Sequence, residues 1–90
     1  MIERQIWRAT LARLQGDIPP LDFQREFLFT DLLEVRDNVA YIAAPDGLRD
    51  WLEVKRAQAV TMALSIVLGK STAAIFVNKG AIHGYSYQNP

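Results

Sequence analysis

The chain has 90 residues, half of them hydrophobic and 22% charged, with ten Lys+Arg balancing ten Asp+Glu. This excludes a low-hydrophobicity disordered chain and a strongly basic module of the histone or zinc-finger type, which needs excess cation against phosphate. With no cysteine and a single histidine, His83, it also excludes a disulfide framework, a thiolate or multi-histidine metal site and a thiol nucleophile.

One small domain fits this length. A domain of this size buries only about 60–65% of its chain surface, so docking onto a larger partner suits it. The start, Met1-Ile2-Glu3-Arg4-Gln5, mixes charges and lacks the pattern of a signal peptide. The most apolar window, residues 59–68, is interrupted by Thr61 and Ser65. It falls short of the roughly 18 apolar residues of a spanning helix. The expectation is a cytoplasmic protein with no membrane and no metal or other cofactor.

Residues 2–15 carry Ile2, Ile6, Trp7, Leu11 and Leu14 at helical spacing, with Arg4, Arg8 and Arg13 mainly on the other side. Gly16 supplies a stop. Pro19-Pro20 opens a second helix, continued by Leu21, Phe23, Phe27 and Leu28 to about Phe29. From Asp31 the period changes to two, with Asp31, Leu33 and Val35 on one side and Leu32, Glu34 and Arg36 on the other. Asp37-Asn38 is a reversal, and residues 39–44 form the second strand of a hairpin, ended by Pro45.

Asp46 is placed to cap a long helix over residues 47–68, with Asp50 and Glu53 favourable near its positive end. Its expected apolar face is Leu48, Trp51, Leu52, Ala59, Met62, Ala63, Ile66 and Val67, with Gly69 as the stop. Residues 73–78 read as a last strand, and residues 79–90 as a flexible tail. The predicted class is α+β, in the order α-α-β-β-α-β, with helices covering a three-stranded sheet. A crossover as long as the third helix allows the last strand to run parallel to a neighbour.

The sequence gives little sign of catalysis. Its glycines are dispersed, and Gly69-Lys70-Ser71 lacks the upstream glycine of a phosphate-binding loop. Asp46, Asp50 and Glu53 sit where acids stabilise a helix start. Ser71, Thr72 and Ser86 have no histidine in their sequence context. The expectation is not an enzyme. Lys55, Arg56 and Lys70 are candidate phosphate contacts, with Lys79 bracketing the last strand and Tyr85 and Tyr87 available for stacking. No GxxG clamp of the KH class is present. Trp7 and Trp51 read first as core residues. Ile2, Ile6 and Trp7 could alternatively form an apolar rim that marks a partner site.

Ile6-Trp7-Arg8-Ala9-Thr10-Leu11-Ala12-Arg13-Leu14, then Ile18-Pro19 and Phe23, resembles the start of the N-terminal domain of the bacterial replication initiator DnaA. Val39-Ala40-Tyr41-Ile42-Ala43-Ala44-Pro45, Trp51-Leu52 with Lys55, and residues 73–77 continue the likeness, which spans about residues 5–78. The resemblance implies a KH-like interaction domain that self-associates, recruits the replicative helicase, binds initiation regulators and touches single-stranded DNA weakly. By position it implies self-association through Trp7, helicase contact through Asp22, and partner contact through Leu48, where the family usually has Phe. Glu26 stands where the family commonly has a Trp, and the loop at Asp46-Gly47-Leu48 is one residue short. Three expectations result: a replication-initiation adaptor with Ile6, Trp7, Asp22 and Leu48 as contacts, a weak single-strand binder using Lys55, Arg56 and Lys70, or a homodimerisation module.

Overall fold

The computed structural model describes residues 2–81; Met1 and residues 82–90, including His83, Tyr85, Ser86 and Tyr87, lie outside the described residues. The elements are α1 (Glu3–Leu14), α2 (Pro20–Phe27), β1 (Asp31–Arg36), β2 (Val39–Ala44), α3 (Arg49–Lys55), α4 (Ala57–Leu68) and β3 (Ala73–Asn78), followed by a single 3-10 turn, Lys79–Ala81. This is an α+β fold with a three-stranded mixed sheet. β2 lies at the centre, antiparallel to β1 and parallel to β3. The hairpin turns at Asp37 (φ 53°) and Asn38 (φ 65°), two residue types that tolerate the left-handed conformation both turn positions require.

The first helix turns Ile6, Trp7, Thr10 and Leu14 inward and leaves Ile2 exposed. Its buried Thr10 hydroxyl donates to the Ile6 carbonyl at 2.8 Å, which satisfies it without an external partner. In β1 the expected phase is corrected. Leu32 is buried and Val35 packs against the same core, three residues apart rather than two. A register shift between Leu32 and Glu34 leaves Leu33 as an extra residue, and such a bulge moves the following side chains to the opposite face. From β2 and β3, Ala40, Ile42, Ala44, Ala74 and Phe76 complete the core beneath the helices.

The single long helix expected over residues 47–68 is two helices. Arg56 (φ −121°, ψ −6°) leaves the helical conformation between them. The break resets the helical phase by about one residue. Val60, Ala63 and Leu64 are therefore the buried positions of α4, while Met62 and Ile66 of the expected face are exposed. Asp46 does not cap α3, whose N-cap is Leu48 without a side-chain bond. It accepts the Gly80 N–H at 3.1 Å instead, in the 3-10 turn that follows β3. Gly69 (φ 73°) closes α4 as expected, its N–H and that of Lys70 both donating to the Ser65 carbonyl.

The outer edge of β3 is satisfied by side chains. The Phe76 N–H donates to Glu53 Oε1 at 3.3 Å and its carbonyl accepts from Arg49 Nε at 2.9 Å. The Ala74 N–H donates to Thr61 Oγ1 at 3.0 Å, and the Thr72 N–H to Ser65 Oγ at 3.0 Å. Arg49, Glu53, Thr61 and Ser65 thus line an edge that would otherwise offer unpaired backbone groups to another strand.

Candidate functional site

Prolines fix the start of α2: Pro19 is the N-cap and Pro20 the first helical residue, where a missing N–H costs nothing. The eight-residue helix then presents three sides. Phe23 and Phe27 stack with ring centroids 5.5 Å apart, and Phe27 is fully buried. Leu21 and Leu28, seven residues apart and therefore on one stripe, point away from the core at 73% and 64% exposure, followed by exposed Phe29. The third side carries Asp22 and Glu26.

Glu26 is buried, with a side chain only 6% exposed. Arg56 Nε donates to its Oε1 at 2.6 Å and Arg56 Nη2 to its Oε2 at 3.1 Å, the two-pronged geometry that suits a guanidinium to a carboxylate. Asp22 lies 4.0 Å from the same guanidinium and 3.7 Å from Arg25. Burial by itself pushes the Glu26 carboxyl up. The side-chain hydrogen bonds from Arg56 and Trp51, with the charges of Arg56 and Arg25, outweigh that and hold it below its ordinary value. The Glu26 hydrogen bond raises Arg56 correspondingly. Glu26 and Arg56 are therefore both charged at neutral pH.

This network ties the C-terminal end of α3 to α2. Leu52 points into the core, whereas Trp51 and Val54 remain 44% and 77% exposed. Lys55 Nζ sits 5.7 Å from the centre of the Trp51 ring, within cation–π range. Five large apolar side chains, Leu21, Leu28, Phe29, Trp51 and Val54, are thus exposed on the two helices, and the turn after α2, that Asp22, Glu26 and Arg56 tie together. Exposed apolar surface rimmed by polar groups is characteristic of partner sites.

The sequence-predicted residues divide accordingly. Asp22 is half-buried within this network. Lys55 is exposed over Trp51, and Leu48 packs partly buried against the core where α3 begins. Ile6 and Trp7 are corrected: both are core residues, and Trp7 is only 4% exposed. Its indole N–H donates to Thr30 Oγ1 at 3.2 Å, and that hydroxyl donates to the Phe27 carbonyl at 2.7 Å. The ring is therefore packed and its polar edge satisfied, which leaves no apolar rim at Ile6 and Trp7 for a second copy to cover.

The predicted cation set does not converge. Arg56 is committed to Glu26, while Lys55 and Lys70 lie beyond opposite ends of α4. Its 12 residues span about 18 Å. The acids considered for chemistry are structural in their contacts: Asp46 holds Gly80, Asp50 pairs with Arg49 at 2.8 Å, and Glu53 holds the Phe76 N–H. Among the described residues no group of three or more acidic or histidine side chains could hold a metal ion, and no helix is long and apolar enough to cross a membrane. Sequence reasoning missed the roles of Glu26 and Trp51. The signal lay in Glu26 itself, an acid on the inward flank of a helix, which needs a cation from elsewhere in the fold. No protein-family model matches the chain.

Proposed function

We propose that this chain is a non-enzymatic protein-docking domain of replication initiation, similar to the N-terminal domain of DnaA, that contacts the replicative helicase or an initiation regulator. The observation that carries the reading is the exposure of five large apolar side chains, Leu21, Leu28 and Phe29 on and just after α2 and Trp51 and Val54 on α3, two helices that the Glu26–Arg56 ion pair links. Asp22, the position that the resemblance links to helicase contact, lies on α2 at 4.0 Å from Arg56. The ordered likeness across about residues 5–78 supplies the setting. Where the family commonly has an aromatic after the helix-two Phe, this chain has Glu26, and Trp51 offers an indole beside it from α3. In this reading the recognition aromatic has moved from one helix to its neighbour. Self-association through Trp7 is no part of it, because that ring is enclosed.

The test is capture of the replicative helicase, or of initiation regulators, by the 90-residue protein and by the double variant Leu21→Ser/Leu28→Ser. Both side chains are exposed, so the variant keeps the wild-type circular dichroism spectrum. Loss of capture in this variant supports the reading. Capture by neither protein, or by both equally, contradicts it.

A further inference from the structure

A second surface runs along α1. Adjoining depressions of about 300 to 390 Å³ follow this helix where it meets α2 and the start of β1. Half-buried Leu11 and Phe23 form the floor above the enclosed Trp7, and Arg4, Arg8 and Asp31 line the groove beside them. From Arg4 to the end of α1 the groove is about 16 Å long at 1.5 Å per residue, enough for three turns of a helical segment.

The charges at its rim are unbalanced. Arg4 and Arg8 are exposed, four residues apart on one helical face, and no carboxylate pairs with either among the described residues. Like charges at that spacing repel. The one acid at the groove, Asp31, is engaged by Lys79 at 3.7 Å. Residues 82–90 contain no Asp or Glu, so they bring no acidic side chain to the two arginines. The surface is an apolar trough beside an uncompensated pair of guanidinium groups.

We infer that this groove takes an acidic amphipathic segment of a partner protein, with apolar side chains at helical spacing on the Leu11–Phe23 floor and Asp or Glu on Arg4 and Arg8. Single-stranded nucleic acid fits it less well. Stacking needs an open aromatic face, whereas Trp7 is enclosed and the Phe23 ring is stacked on Phe27. Two cations also supply only a small phosphate term. The groove is separate from the α2–α3 face, so its failure leaves the function proposed above standing, and the reverse.

The test is an NMR titration of the isotopically labelled 90-residue protein with three probes. These are a synthetic helical peptide about four turns long carrying Leu on one face and Glu on the other, the same peptide with Lys for Glu, and a short oligothymidine. The acidic peptide is expected to shift the Trp7 indole N–H and the Leu11 and Phe23 amides. Arg4→Glu/Arg8→Glu, which changes two exposed side chains, weakens it about tenfold and transfers the preference to the lysine peptide. Equal binding of both peptides, shifts confined to other surfaces, tighter binding of oligothymidine, or no charge-reversed preference in the variant overturns the inference.

Discussion

The guanidinium of Arg56 grips the carboxylate of Glu26 through two hydrogen bonds, at 2.6 and 3.1 Å, across thirty residues of sequence. The contact joins α2 to the point where the expected long helix breaks, while Arg49 and Glu53 hold α3 itself to the β3 edge. The ion pair's desolvation is costly, and the gain depends on both partners being present.

Removing one partner is therefore expected to cost more than removing both. Arg56→Met strands a buried carboxylate and should destabilise the protein by about 2–3 kcal/mol. The double variant Glu26→Leu/Arg56→Met should recover most of that loss. Urea denaturation of the two single variants and the double provides the cycle. Additive losses would show that the pair is not coupled.

The same contact gives acid sensitivity. The folded Glu26 carboxyl titrates below its ordinary value of 4.5, burial being overcome by Arg56 and Trp51. Its contribution is present above the unfolded value and is lost as pH falls through the folded one. Thermal melts of wild type should therefore lose stability below about pH 4.5. Glu26→Gln, less stable at neutral pH, should show a flatter acid limb. Parallel acid limbs for the two proteins would assign the loss to other carboxyls.

The edge of β3 yields a third expectation. Thr61→Val keeps the shape of the side chain but removes the acceptor for the Ala74 N–H. An unsatisfied, part-buried donor should cost about 1–2 kcal/mol. Amide exchange at Ala74 should accelerate in this variant while that of Ala40, in the centre of the sheet, changes little by comparison. Equal change at both amides would mean global rather than local loosening.

Much of the architecture was legible because it follows from punctuation and period. Pro19-Pro20, Asp37-Asn38, Pro45 and Gly69 are residues whose backbone chemistry imposes a boundary, and the structure places boundaries there. What escaped depends on partners distant in sequence. The break at Arg56 has no Gly or Pro to announce it; the Arg binds Glu26 thirty residues away. The bulge at Leu33 becomes visible only once β1 is registered against β2. Thr61 and Ser65 read as flaws in an apolar window because the strand edge they serve lies beyond the helix.

The candidate site was legible only in part, for the same reason. Asp22 could be singled out by position, but its neighbours on the face, Trp51 and Arg56, come from α3 and the break after it. Trp7 shows the reverse. A helical stripe of Ile2, Ile6 and Trp7 leaves open which member is outside, and the bond from the indole to Thr30 decides that it is Ile2.

The central claim, docking through the α2–α3 face, is tested most directly by the chemical-shift footprint of the replicative helicase on the labelled 90-residue protein. The account predicts shifts at sub-millimolar protein that centre on Leu21, Asp22, Leu28, Phe29, Trp51 and Val54, with the Trp51 indole N–H among the largest. No shifts at that concentration, or a footprint on the open face of the sheet around Tyr41 and Ile75, would contradict it.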